Sequence, residues 1–194
     1  MKKDIILAGV GGQGILSIAA VIGLAALNSG LQLKQAEVHG MSQRGGDVHS
    51  NLRIADHVIY SDLIPYGLAD LIISVEPMES LRYLPWLSKE GWLISNNVPH
   101  VNIPDYPDME QIFGAIEAVG QHVLINGDQV AKDLGMARSM NMVILGAASP
   151  WLGINYSELE KAVKEIFISK GREIVDHNLK ALAAGKEFAM AHHS

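Results

Sequence analysis

A chain of 194 residues has the length of one domain and can bury roughly 70% of the surface its unfolded form exposes. Fifteen Lys and Arg against twenty-one Asp and Glu leave a net charge of −6, and no basic block interrupts the sequence, which excludes a surface that tracks nucleic-acid phosphates. Cysteine is absent, so disulfides, thiolate catalysis and Cys-ligated iron–sulfur clusters are excluded within this chain.

Met1-Lys2-Lys3 before apolar residues resembles a signal peptide, but Asp4, the glycine cluster and Gln13 break the apolar core such a segment needs. The longest apolar run, Ile15 to Leu27 with Ser17 inside it, is shorter than the ~20 residues of a membrane span. The expectation is a cytoplasmic protein with no membrane segment, one domain over residues 1–194.

Ile5 to Ala8 is an unbroken apolar run that reads as a strand buried on both faces. It opens on GVGGQGILSIAA (9–20), in which Gly9, Gly11 and Gly14 fit G-x-G-x-x-G. A helix is predicted from Gly14 to Asn28, closed by Ser29-Gly30. Leu31 to Val38 is a second strand carrying Glu37, about where a Rossmann domain places the acid for a ribose.

The next stretch, HGMSQRGGDVHSNLRIADHVIYS (39–61), has no helical period. Val48, Ser50, Leu52 and Ile54 alternate with Asp47, His49, Asn51 and Arg53, the period of a strand. This predicts a hairpin, a mixed sheet, and a long loop from Gly40 to Gly46 where a plain Rossmann domain has a helix. The polar stripe 47, 49, 51, 53 reads most simply as a solvated strand face, the alternative being an interface or substrate-facing wall.

Asp70 to Val75 is a buried strand, followed by Glu76-Pro77 and a helix through Leu87; Gly91 to Asn96 is the next strand. The proline-rich VPHVNIPDYP (98–107) is an extended connection. A helix over Asp108 to Val119 and a short strand over His122 to Asn126 precede a helical third: Ser139 to Ala148, Ser157 to Ser169 and Arg172 to about Met190. Ser157 and Glu160 have capping-box spacing. The fold class expected is α/β: a three-layer, Rossmann-like domain with a mostly parallel, mixed sheet and a helical C-terminal third.

Glycine turns suit anions because backbone N–H groups converge where no Cβ intrudes and the following helix adds its positive dipole end. A tight turn that binds nothing is the competing reading. SQRGG presents Ser42, Gln43 and Arg44 on a glycine-flanked loop, and the Arg44 fork matches a carboxylate or phosphate, or a structural acid. Glu37, Glu76 and Asp128 sit at or beyond strand ends without the spacing of an acid/base pair. The eight histidines form no H-x-x-x-H, so no metal site is expected. Trp86, Trp92 and Trp151 with Met41, Met78, Met136, Met140 and Met142 supply core or a subunit interface.

GVGGQGIL, KQAEVHGMSQRGGDVHSNLRI, LIISVEPMESLRYLP, NMVILGAASP and NLKALAAG together resemble, over nearly the whole chain, the gamma-type subunit of 2-oxoacid:ferredoxin oxidoreductases, most closely the small (beta) subunit of indolepyruvate ferredoxin oxidoreductase. The resemblance implies CoA-dependent oxidative decarboxylation of an aryl 2-oxoacid to acyl-CoA and CO2, with reduction of ferredoxin. It implies that thiamine diphosphate, Mg and the iron–sulfur clusters reside on a large (alpha) partner subunit, that this chain binds none of them, and that it is inactive alone. It places the family's glycine turn on Gly9, Gly11, Gly12, Gln13 and Gly14, and its second segment on Glu37, Ser42, Gln43, Arg44, Gly45 and Gly46, facing CoA or the shared cleft. The competing classes are a free-standing NAD- or FAD-dependent oxidoreductase, and a purely structural scaffold subunit.

Overall fold

The first strand, β1 (Lys2–Val10), alternates its side chains between two different cores. Ile5 and Leu7 point into one cluster of buried residues, Ile6 and Ala8 into another, as the two-residue period of a strand in the middle of a sheet requires. The computed structural model describes residues 1–39, 46–101 and 103–193.

The helix α1 (Ile15–Asn28) follows, then the strands β2 (Gln32–His39), β3 (Asp47–Ala55) and β4 (Ala69–Ser74). The short helix α2 (Pro77–Arg82) ends before Pro85, which stands in a 3-10 turn over Leu84–Trp86, so the helix stops five residues short of the predicted Leu87. Next come β5 (Leu87–Asn96), α3 (Met109–Glu117) and β6 (His122–Ile125). A seven-residue helix that sequence periodicity missed, α4 (Gly127–Asp133), is capped by the Asn126 side chain accepting from Gln129 N at 2.8 Å. The chain closes with α5 (Met140–Ala148), α6 (Tyr156–Phe167) and α7 (Arg172–His192). Asn155, extended, precedes α6, and Ser157 lies inside the helix, so the expected Ser157 capping box does not form.

The sheet order is β2-β3-β1-β4-β5-β6. β1, β4, β5 and β6 run parallel, while β3 is antiparallel to both β1 and β2. The predicted hairpin is thus β2–β3, and the sheet is mixed and mostly parallel. α1, α5, α6 and α7 contribute to the larger core on one face; α2 and α3 pack against the smaller core on the other. This is the expected three-layer α/β architecture with a helical C-terminal third.

α5 and α7 approach so closely that neither tolerates a side chain at the crossing. A Cβ on Gly146 would lie 2.0 Å from Leu182 O, and one on Gly185 would lie 1.9 Å from Val143 O. That crossing fixes α5, whose first turn reaches the glycine turn. Among the described residues, no helix is long and apolar enough to cross a membrane.

Candidate functional site

The carboxyl ends of the parallel strands gather the chemistry-bearing residues at one edge of the sheet, where ligands of open α/β sheets collect. Because β3 is antiparallel to β1, its first residue, Asp47, pairs with Val10 at this same edge. Gly11 N donates to Gly46 O at 3.0 Å, so the glycine turn and the end of the SQRGG segment are joined. Ser42, Gln43, Arg44 and Gly45 lie outside the described residues, as does Met41.

The turn is built from its own side chain. Gln13 Oε1 accepts from Val10 N at 2.8 Å, and Gln13 N donates to Val10 O at 3.2 Å. Gly14, with φ at +87°, stands at the N-terminus of α1 and offers no capping side chain. A Cβ there would lie 2.5 Å from Asn141 Nδ2, which instead donates to Gly14 O at 3.2 Å. The first turn of α1 carries no acid, which leaves its dipole end open to an anion. Gly9 serves packing: a Cβ would lie 2.4 Å from Val75 Cγ2.

Glu37 is not brought to the turn. It lies on the edge strand, exposed, with β3 between it and β1, and its Oε1 accepts from Gln35 Nε2 at 3.3 Å. In a nicotinamide-binding Rossmann domain the acid's strand adjoins β1; here β3 occupies that place, which argues against the dinucleotide-dependent alternative.

The polar stripe of β3 is not a solvated face. Asn51 is buried and accepts from Ile64 N at 3.1 Å. Arg53 makes a two-pronged contact with the buried Asp4 carboxylate, at 2.7 and 3.1 Å, and its Nη1 donates to the carbonyls of Ser61 and Leu63 at 3.0 Å each. The segment over residues 56–66 folds back across the strand, so these polar groups find partners beneath it.

Nearer the glycine turn, Tyr83 joins Asp47 to His49. Its hydroxyl donates to the Asp47 carboxylate, 3.1 Å from each oxygen, and lies 2.8 Å from His49 Nδ1, which in its protonated tautomer donates to the same oxygen. Burial and the Asp47 charge hold Tyr83 far above the ordinary phenol range. Burial lowers His49, against the opposing pull of Asp47. Glu79 is raised by burial and by Asp47, while Arg82 opposes the shift through contacts of 2.8 and 3.3 Å. Sequence reasoning missed this group, since Tyr83 and Asp47 are 36 residues apart.

The other acids are structural. Glu76, fully buried, caps α2 through Glu79 N at 2.8 Å and also accepts from His100 N at 3.1 Å and from the Tyr106 hydroxyl. Asp128 accepts from Asn96 Nδ2 at 2.9 Å. Trp92 and Trp151 stack at 3.9 Å, half-buried against the larger core. Among the described residues, no three His, Asp or Glu side chains are grouped to hold a metal ion.

Comparison with known proteins identifies the family to which this fold belongs. A family model described as pyruvate ferredoxin/flavodoxin oxidoreductase matches residues 4–188. The chain is 36% identical over 200 residues to indolepyruvate oxidoreductase subunit IorB of Archaeoglobus fulgidus, an alignment that covers 98% of this chain and 97% of that one. The gamma subunit of a keto/oxoacid ferredoxin oxidoreductase from Geobacter sulfurreducens shares the fold with a TM-score of 0.73 and 25% identity, over 98% of this chain and 99% of that one. A 2-oxoglutarate:ferredoxin oxidoreductase from Magnetococcus marinus, solved with 2-oxoglutarate, coenzyme A and succinyl-CoA, gives a TM-score of 0.78 at 24% identity, and this chain spans 31% of that longer one. The chain belongs to the pyruvate ferredoxin/flavodoxin oxidoreductase family, as a subunit of the gamma type.

Proposed function

We propose that the chain is the non-redox subunit of an indolepyruvate ferredoxin oxidoreductase. In that role it supports the CoA-dependent oxidative decarboxylation of an aryl 2-oxoacid to its acyl-CoA and CO2, the two electrons passing to ferredoxin. The observation that carries this reading is the likeness to an indolepyruvate oxidoreductase subunit at nearly full length. Thiamine diphosphate, Mg and the iron–sulfur clusters belong on the large alpha subunit: a chain without cysteine supplies no thiolate ligands for a cluster.

CoA is the ligand proposed for the edge formed by Gly11, Gly12, Gln13 and Gly14 with Gly46, together with Ser42, Gln43, Arg44 and Gly45. Its support is the open N-terminus of α1 beside that turn, the Gly11 to Gly46 hydrogen bond, and the CoA-bound state of the Magnetococcus enzyme. Gly9 closes the turn behind this edge, while Glu37, on the edge strand and paired with Ser50, is left out of it. The chain's contribution is to hold and orient CoA; the bond-making chemistry lies with the thiamine partner.

The test is an assay of the purified two-subunit complex with indolepyruvate, pyruvate and 2-oxoglutarate, each with and without CoA. The expected result is CoA-dependent ferredoxin reduction with the aryl substrate preferred by kcat/KM. Preference for 2-oxoglutarate, or no response to any 2-oxoacid, contradicts the reading.

A further inference from the structure

The start of α6 and the second half of α7 border a pocket of about 460 Å³, lined by Tyr156, Ala183, Lys186, Glu187, Met190 and Ala191. It shares no residue with the glycine turn, the SQRGG segment or the group around Tyr83. We propose that it is a second ligand site, which takes a free α-amino acid with an apolar side chain. The ligand carboxylate accepts from Tyr156 and Lys186, its ammonium donates to Glu187, and its side chain lies on Met190 and the two alanines. The site does not depend on the function proposed above.

The first observation is an orphaned donor. The Tyr156 hydroxyl is closed to water and, among the described residues, has no hydrogen-bond partner, although buried polar groups are ordinarily satisfied. The ring packs against the larger core, and the residue also lines the pocket. Burial, with the nearby Glu160 and Glu187 carboxylates, pushes the Tyr156 pKa up to about 12. The hydroxyl therefore keeps its proton at neutral pH and can donate it. An acceptor on a ligand supplies the partner that the protein omits.

The second observation is a pair of opposite charges left unspent. Lys186 Nζ stands 4.0 Å from the centre of the Tyr156 ring, and neither Lys186 nor Glu187 enters an ion pair among the described residues. A simple acid would meet the ammonium but also Glu187, and a simple amine would meet the carboxylate but also Lys186. A zwitterion satisfies both, so the charge pattern selects an amino acid over either. The third observation is the apolar wall. Met190 is 56% exposed, a flexible thioether that adapts to different side chains, and Ala183 and Ala191 beside it leave room for them. Exposed side chains change rotamer quickly, so the carboxylate reaches the hydroxyl by shifting Lys186 and Met190, with the helices in place.

The experiment titrates the full chain, and the assembled complex, with L-leucine and L-phenylalanine by calorimetry. Phenylpropionate, which lacks the ammonium, and phenethylamine, which lacks the carboxylate, are the comparison ligands. The expected result is that the amino acids bind with a Kd of about 1 mM or tighter, and that either analogue binds about tenfold more weakly or worse. The variants are Tyr156→Phe, Lys186→Met and Glu187→Gln, with Lys180→Met, on α7 but outside the pocket, as the control. Each pocket substitution should weaken phenylalanine by about tenfold, while the control stays within about twofold. Without ligand, Tyr156→Phe should keep or raise the melting temperature, because it removes a buried hydroxyl that no protein group satisfies.

Phenylalanine affinity unchanged by Tyr156→Phe and Lys186→Met overturns the site, as does binding of either analogue as tight as that of the amino acid, or no binding to chain or complex. A lower melting temperature of ligand-free Tyr156→Phe also overturns it, since the hydroxyl would then have a partner within the protein. Binding by the chain that is lost in the complex means that another subunit fills the pocket, and this too removes the ligand site.

Discussion

Tyr83 shows how much a single hydroxyl organises at the base of the SQRGG segment. It fixes the first residue of β3, Asp47, and the ring of His49 two positions on. Because burial lowers the pKa of His49 from its ordinary 6.5, the unfolded chain binds the proton more readily than the folded one. The contribution of His49 to stability is therefore complete above pH 6.5 and is lost as pH falls from there toward the folded value. Denaturant unfolding followed across pH should show wild type losing stability relative to His49→Gln below that pH, and parallel curves would refute the assignment. At Arg44, Ala should remove a charge-assisted contact of about 1.5 to 3 kcal/mol, or roughly tenfold to a hundredfold in KM for CoA. Lys should restore only part, because an ammonium lacks the planar fork. Steady-state kinetics of the complex, varying CoA and oxoacid separately, decide which ligand feels the change.

At the scale of elements, the α5–α7 crossing sets the position of the glycine turn. Asn141 on α5 reaches Gly14 O, and α5 is held by backbone contact at Gly146 and Gly185. Gly185→Ala forces those helices apart and should cost about 1 to 3 kcal/mol of stability, read as a lower denaturant midpoint. An unchanged midpoint would mean the crossing yields without penalty. The strand-turn-helix at residues 2–28 and the hairpin were legible because their signals are local: an apolar run, spaced glycines, a two-residue period. α4 was not, since seven residues offer too few apolar positions to show a period. The alternation 47, 49, 51, 53 was legible as a strand but not as a covered one, because its partners come from residues 56–66 and from Tyr83.

For the whole molecule, the sheet order explains why a Rossmann-like fingerprint does not signal a nicotinamide enzyme here. Inserting β3 beside β1 moves Glu37 to the sheet margin and brings Gly46 to the glycine turn instead. The purified chain should accordingly carry no stoichiometric flavin, nicotinamide, thiamine diphosphate or iron; an absorbance spectrum with a bound chromophore would contradict the proposed division of labour. The central claim is that this chain works as the partner of a thiamine-dependent large subunit. Its most direct test is indolepyruvate- and CoA-dependent ferredoxin reduction by the large subunit alone, by this chain alone and by the two reconstituted together. The account predicts turnover only in the reconstituted pair, whereas full activity of either subunit by itself would contradict it.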